Sequence, residues 1–282
     1  MWPRITVVTP SYNQAKFLEA TIRSVLDQGY PNLEYIVMDG GSTDGSLEII
    51  RRYEKHLAGW VSEKDGGAAD AIAKGFSRAT GTILAYLNSD DLYLPGSLHA
   101  IGEAMRDPAV DVAYGNTYWI DSGGAILGER RQTPFARMGY LYGGFDLQQP
   151  ATFWTRDLYL KCGGIDPSYL FAFDMDLFVR FAKQRARFKH VNKFVASFRI
   201  HPESKSSNDF AICERELRRL REAYLPFPFR SFRASCFRNL ARIQRTFWYT
   251  LQGDLFWLIS RFPDRIRARN ATVIAGPQAR RM

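Results

Sequence analysis

Acidic residues that fall directly after short apolar runs are where this sequence could do chemistry. Asn88-Ser89-Asp90-Asp91 follows Ile83-Leu84-Ala85-Tyr86-Leu87, and Asp39-Gly40-Gly41-Ser42-Thr43-Asp44 follows Tyr35-Ile36-Val37-Met38. Two adjacent carboxylates supply the hard oxygen ligands that Mg2+ or Mn2+ prefers. Such a cation is also what allows acids to stand beside a phosphate group, which they would otherwise repel. An N-cap or Asx turn accounts for one acid after a strand, but a turn does not require two. Asp39, with no acid beside it, suits hydrogen bonding to a base or ribose.

A second acidic feature is Asp174-Met175-Asp176, at the start of a helical pattern. Side chains two positions apart on a helix point in different directions. One of the pair can face a cleft while the other caps the helix or sits favourably in its dipole. A single-displacement transfer needs a carboxylate that deprotonates an acceptor hydroxyl, remote from the metal that stabilises a departing phosphate. Taken alone, a capping acid is the commoner reason for such a residue. His201, in Arg199-Ile200-His201-Pro202, reads equally as a polar loop residue or, with Arg199, Lys205 and Ser206, as a donor to phosphate.

These residues need a scaffold that gathers strand ends. Residues 5–9, 35–38, 60–62 and 83–87 read as strands, separated by helical patterns that end at turn residues such as Gly29 and Pro31. The alternation predicts right-handed βαβ units, hence an α/β fold with a mostly parallel sheet flanked by helices. In open sheets of that kind ligands bind beyond the carboxyl ends of the strands. Four such ends carry polar turns: 10–13, 39–44, 63–70 and 88–91. No G-x-G-x-x-G follows the first strand and no P-loop occurs anywhere, which disfavours dinucleotide dehydrogenases and P-loop enzymes. Beyond Pro95 the pattern predicts a helix to Met105, a hairpin over 119–127, a loop over 130–144, strands at 151–154 and 188–198, and helices at 156–162 and 175–183.

The chain has 282 residues, 46% hydrophobic and 14% aromatic, which excludes a disordered protein. Its net charge of +9 is unevenly placed: residues 211–282 hold fifteen Arg against five acids, and the rest is close to neutral. No base-reading motif accompanies that charge, so nucleic acid is not the expected partner. Cys162, Cys213 and Cys236 are odd in number and far apart, which fits a reducing compartment better than a disulfide framework. The first strand leaves no room for a signal peptide, and residues 246–260 are too short and too broken to span a bilayer. The expected location is cytoplasmic.

Pro10-Ser11-Tyr12-Asn13, the Asp39 loop, Ser62-Glu63-Lys64-Asp65-Gly66-Gly67 with Asp70-Ala71, and Leu87-Asn88-Ser89-Asp90-Asp91 with Tyr93-Leu94-Pro95-Gly96 resemble family 2 glycosyltransferases of the GT-A fold. Gln149-Pro150-Ala151-Thr152-Phe153, Gly163-Gly164-Ile165-Asp166 and Phe198-Arg199-Ile200-His201 extend the resemblance in the same order, to about Ser207. It implies inverting, metal-dependent transfer from a nucleotide-diphosphate sugar, a UDP-sugar by preference, to a hydroxyl of a glycan or lipid-linked acceptor in polysaccharide biosynthesis. Pro10, Tyr12 and Asp39 match nucleoside-holding positions, with Asp65 close to the base or sugar. Asp90 and Asp91 match the diphosphate and metal positions, with Asp91 expected to touch Mn2+ or Mg2+ directly. Asp174 matches the catalytic base, and His201 lies on a loop that in relatives closes over the diphosphate. Asn88 stands where the metal motif often begins with Asp, and Phe173 where Glu often precedes the base, which leaves Asp176 as a rival to Asp174.

The resemblance divides the chain into a GT-A catalytic domain, 1–208, and a basic helical extension, 209–282. Phe232, Cys236, Leu240, Ile243, Phe247, Leu251 and Leu255 form an apolar stripe, with Arg238, Arg242 and Arg245 on the opposite face. Such a helix, over 232–262, fits an anionic membrane surface at the inner face of the membrane; packing on the catalytic domain or at a homodimer seam fits it too. Two other functions remain at this stage. A non-catalytic nucleotide-sugar-binding subunit would bind without turnover. A nucleotidyltransferase usually needs a basic glycine-rich loop after its first strand, which is absent.

Overall fold

The computed structural model describes residues 1–137, 140, 142, 147–203, 210–225, 227, 228 and 231–251. Its first half alternates strand and helix: β1 (Ile5–Ser11), α1 (Ala15–Leu26), β2 (Leu33–Asp39), α2 (Ser46–Tyr53), β3 (Gly59–Ser62), α3 (Ala68–Arg78) and β4 (Ile83–Tyr86). These four strands pair in parallel, in the order β3-β2-β1-β4. The register sets Ser11 beside Asp39 and Asp39 beside Ser62, so three polar residues share one sheet edge.

Alternation along each strand explains how helices cover both faces. Val7, Tyr35, Val37, Ile83 and Ala85 enter one apolar cluster, with Leu18 and Ile22 of α1. Their neighbours Val8, Ile36, Met38, Leu84 and Tyr86 enter the other, with Ile72 and Phe76 of α3. Successive side chains of a strand point to opposite faces, so a strand buried on both sides reads as a continuous apolar run. Gly75 lets α3 approach closely: a Cβ there would lie 2.5 Å from Val8 Cγ1.

The second half completes a mixed sheet. It comprises β5 (Leu92–Tyr93), α4 (Ser97–Ala104), β6 (Val112–Ile120), β7 (Ile126–Arg130), β8 (Thr152–Thr155), α5 (Arg156–Lys161), α6 (Phe173–Lys183) and β9 (Phe188–Arg199). β8 runs antiparallel to β4 and to β6, β6 runs parallel to β9, and the β6–β7 hairpin is antiparallel as expected. The sequence pattern did not reveal β5. Its two residues pair antiparallel with β9, Leu92 opposite Ser197 and Tyr93 opposite Ala196. That pairing draws residues 88–91 against the end of β9.

Two helices follow, α7 (Phe210–Tyr224) and α8 (Phe232–Leu251). Leu220 of α7 and Ala234 of α8 join the apolar cluster that holds Trp154 and Phe178. Phe237 stacks on Tyr142, with ring centroids 5.7 Å apart, and the Tyr249 hydroxyl donates to the Arg131 carbonyl at 2.8 Å. The described part of these two helices is therefore docked on the α/β core. The inward face of α8 is Ala234, Phe237, Ala241 and Tyr249, whereas Phe232, Leu240, Ile243, Phe247 and Leu251 are exposed. Leu255 and the rest of 252–262 lie outside the described residues, as does part of the expected 130–144 loop. Among the described residues no helix is long and apolar enough to cross a membrane.

Candidate active site

The polar strand ends open into a cavity of about 680 Å³. Pro10, Tyr12, Asp65, Asp90 and Asp174 all line it, so five expected site residues meet in one space. A volume of this size fits a ligand on the scale of a sugar nucleotide.

The loops after β1 and β2 are stitched together. The Asn13 N–H donates to Ser42 Oγ at 2.8 Å, and Asn13 Oδ1 accepts from the Thr43 N–H at 2.9 Å. Asn13 has φ 52°, a left-handed conformation that Asn tolerates better than most residues. Tyr12 beside it is 62% exposed, an aromatic face presented at the cavity. Asp39 is buried beneath the loop it organises. Its Oδ2 accepts from the N–H groups of Gly41 and Ser42 and from Ser62 Oγ, and its Oδ1 accepts from Ser42 Oγ. The cavity wall at this point is the backbone of Gly40 and Gly41 rather than the Asp39 carboxylate. Asp65 Oδ1 accepts from the N–H of Gly67, whose φ of 105° starts α3.

The acidic pair after β4 divides its duties. Asp91 is 1% exposed; Oδ1 accepts from the Arg199 N–H at 2.9 Å and Oδ2 faces Asn88 Nδ2 at 3.4 Å. Burial, and then the charge of Asp90, push its carboxyl well above the usual range. Asp90, not Asp91, borders the cavity, which runs against the expectation that Asp91 is the residue open to a cation. The physical reason is β5: once Leu92 pairs with β9, the side chain before it turns inward onto the β9 backbone. His201 Nε2 lies 3.0 Å from Asp90 Oδ2, with the histidine side chain 1% exposed. His201 is thus a buried partner of Asp90 rather than a lining residue. Arg199 ties this loop, through the Asp90 carbonyl, to the β6–β7 turn, through the carbonyls of Asp121 and Ser122.

Asp174 and Asp176 are separated as their helical spacing predicts. Asp174 borders the cavity, and its Oδ1 accepts from the Met175 N–H at 2.7 Å. Asp176 is buried, with Arg180 Nε at 2.9 Å and Nη2 at 2.6 Å from Oδ2 and the Tyr224 hydroxyl at 2.9 Å from Oδ1. Its oxygens are committed to structure. Gln149 is given no role by the resemblance. It lines the cavity, donates to the Tyr86 carbonyl at 2.7 Å and faces Asn88 Nδ2 at 3.4 Å. Leu170, Phe171 and Phe173 add an apolar wall next to Asp174 that no motif indicated. Lys205 and Ser206 lie outside the described residues. Among those described, no group of three or more His, Cys, Asp or Glu is gathered as a metal site.

The sequence pattern described as Glycosyl transferase family 2 matches residues 6–164, more than half of the chain. TuaG of Bacillus subtilis (strain 168), a glycosyltransferase whose name assigns it to teichuronic acid biosynthesis, is 40% identical over 110 residues. That match covers 37% of this chain and 43% of TuaG, so the chain spans under half the length of that relative. Among solved structures, S. aureus TarS 1-349 in complex with UDP-GlcNAc superposes with a TM-score of 0.62 at 19% identity, covering 86% of this chain and 72% of that one. The mannosyltransferase PcManGT from Pyrobaculum calidifontis, in complex with GDP-Man and Mn2+, gives 0.59 at 21% identity, covering 94% and 83%. At such identities the structural likeness speaks for the fold alone. With more than half of its length matched, the chain belongs to glycosyl transferase family 2 and has the GT-A fold.

Proposed function

We propose that this glycosyltransferase moves a sugar from a nucleoside-diphosphate donor, a UDP-sugar by preference, to a hydroxyl of a glycan or lipid-linked acceptor in polysaccharide assembly. The observation that carries the reading is the single cavity that joins Tyr12 and Asp65 to Asp90 and Asp174. Tyr12 offers a ring face to the base, and the Gly40–Gly41 backbone, held by Asp39, shapes the wall beside it. Asp90 is the pocket-facing carboxylate of the acidic pair, so we assign it the contact with Mn2+ or Mg2+ and give Asp91 the task of fixing the loop. The residues fit such an ion: Mg2+ and Mn2+ are commonly held by one or two carboxylates together with substrate phosphates and water. When bound, the ion neutralises charge on the departing diphosphate.

Asp174 takes the proton as the acceptor oxygen attacks the anomeric carbon. The bond from that carbon to the β-phosphate oxygen breaks, its electron pair leaves with the nucleoside diphosphate, and attack from the far side inverts the anomeric centre. UDP-GlcNAc bound to TarS and GDP-Man with Mn2+ bound to PcManGT support a donor and ion of these classes. TuaG's name supports a polysaccharide setting. The test is a panel of nucleotide-sugars with Mn2+ or Mg2+, read by thermal stabilisation and by released nucleotide. Stabilisation by one nucleoside diphosphate and its sugar is expected, and none from any of them overturns the reading.

The exposed face of α8 supports a place at an anionic membrane surface, where a lipid-linked acceptor would be met. Phe232, Leu240, Ile243, Phe247 and Leu251 point outward, with Arg233 and Arg242 exposed on the same helix. A seam between two copies would bring two arginine-rich segments together, so charge favours anionic lipid over a second copy of the chain.

A further inference from the structure

We propose that Glu216 is a positioning residue that holds the base-bearing wall of the cavity in its working geometry. The inference rests on the assignment of Asp174 as the base. Glu216 lies on α7, beyond the segment that the family pattern matches.

Three consecutive backbone N–H groups converge on its carboxylate. Leu170 donates to Oε1 at 2.8 Å, Phe171 to Oε2 at 2.9 Å and Ala172 to Oε2 at 3.0 Å. Glu216 is 7% exposed, and its three charge-assisted bonds range from part-buried at Leu170 and Phe171 to buried at Ala172. Leu170 and Phe171 line the cavity, Ala172 is the N-cap of α6, and Asp174 follows two residues later. Ala172 has no side chain that can cap the helix, and no cap bond is formed there. The start of α6 is instead fixed from outside, by an anion on another helix. An anion at a helix N-terminus is favoured by the helix dipole as well as by the N–H groups it accepts.

The same segment is held at two further points by α7. Arg219 Nη2 donates to Ser168 Oγ at 3.1 Å and its guanidinium sits 4.4 Å from the Tyr169 ring centroid. The Tyr224 hydroxyl donates to Asp176 Oδ1 at 2.9 Å. Contacts at Ser168, at 170–172 and at Asp176 flank Asp174 on both sides. α7 therefore acts as a splint along the segment that carries the base and the apolar wall. The donor-side loops are stitched separately, through Asn13, Ser42 and Asp39, and make no hydrogen bond to Glu216 among those found. The two ends of the cavity are thus held by different parts of the chain. A fault at Glu216 should be felt in the acceptor step and not in donor binding.

Geometry sets the size of the effect. A shift of about 1 Å in a catalytic group can lower turnover on the order of 100-fold. Glu216→Ala removes both carboxylate oxygens and, with them, the acceptor of all three N–H groups. Glu216→Gln keeps one amide oxygen and the shape of the side chain, and so recovers part of the function.

The experiment uses the full chain and three readouts: UDP binding with Mn2+, hydrogen exchange over 168–176, and steady-state kinetics with the donor identified by the panel. Glu216→Ala should lose amide protection at 170–172 and lose about 10- to 100-fold in kcat. Its donor KM and UDP affinity should stay within about threefold of the parent. Glu216→Gln should fall between the two. Tyr224→Phe, which deletes one hydroxyl and little volume, should shift kcat in the same direction by a smaller factor. Parent-like kcat in Glu216→Ala overturns the proposal, and so does a parallel fall of UDP affinity and kcat, which marks a merely structural role. Should Glu216→Ala fail to fold, Glu216→Gln and Tyr224→Phe decide by the same criteria. Failure of the parent to bind UDP or any other nucleotide strikes the donor assignment instead, and the exchange data still report on the splint.

Discussion

Asp174→Asn and Asp176→Asn, made separately, should fail in opposite ways. Asp174 is half-buried at the cavity, and an asparagine oxygen can accept the Met175 N–H that its Oδ1 accepts at 2.7 Å. Stability should therefore change by less than about 1 kcal/mol, within the range of substitutions that break no buried network. The proton acceptor is lost, and positioned general bases contribute about 10²- to 10⁴-fold to rate, so kcat should fall by that factor with donor affinity kept. Asp176 is the reverse. Its side chain is 3% exposed, and it accepts two bonds from Arg180 and one from Tyr224. Removing its charge leaves Arg180 buried beside an amide, and breaking one partner of a buried pair costs about 3–5 kcal/mol. The Arg180 side chain keeps 18% exposure and a bond to the Cys162 carbonyl, which places the expected loss near the lower end. At roughly 2–4 °C per kcal/mol for a chain of this size, the melting temperature should drop by about 6–12 °C. Thermal melts on both variants and single-turnover transfer below the lower melting point give the comparison. Full transfer by Asp174→Asn, or a stable but inactive Asp176→Asn, would refute the division of roles.

Other consequences can be measured on the same material. Asp90→Asn should abolish the Mn2+ dependence of UDP stabilisation in thermal shift, whereas Asp91→Asn, whose oxygen can still accept the Arg199 N–H, should keep most of it; the opposite ranking would return the ion to Asp91. Burial pulls the His190 pKa down to about 4, so the unfolded chain binds the extra proton first, from its ordinary value near 6.5 downwards. Stability should thus be intact above pH 6.5 and fall by on the order of 3 kcal/mol towards pH 4, a slope that urea melts should find reduced in His190→Gln. The full chain should sediment with vesicles containing phosphatidylglycerol and not with phosphatidylcholine alone, and serine at Phe232, Leu240, Ile243 and Phe247 together should release it. Binding that survives those four changes would dismiss α8 as the contact.

The parallel half of the fold was legible because strands buried on both faces appear as unbroken apolar runs. Their carboxyl ends were readable as well, since Pro10, Tyr12, Asp65, Asp90 and Asp174 reach one cavity from separate stretches of sequence. What escaped was decided by pairing across long distances. β5 is two residues long and carries no periodicity, yet its bond to β9 turns Asp91 inward and sets Arg199 and His201 behind Asp90. Asp39 was placed at the correct strand end, but the serines that saturate its carboxylate lie three and twenty-three residues away. The helical stripe of α8 was visible in spacing. Which side meets the core was not, because the inward face is made by two alanines, Phe237 and a tyrosine that lie off the apolar stripe.

The cavity therefore has two sides whose loops are hydrogen-bonded by different parts of the chain, and they meet where Phe173 packs on Tyr86. Residues up to β4 provide a rigid parallel edge, and the loops on it are cross-braced by Asn13, Ser42, Asp39 and Ser62. Asp174 and Phe173 stand at the start of α6, and the segment before it, Leu170–Ala172, is hydrogen-bonded by Glu216 of α7. Catalysis by displacement places different demands on the two. The donor must be held in one geometry, and a sheet edge with saturated turns does that without moving. The acceptor must be admitted and then aligned, and a wall held by a separate helix can change shape without disturbing the donor loops. Under the proposed function, the wall over 168–176, held by α7 through Glu216, is the part expected to align the acceptor.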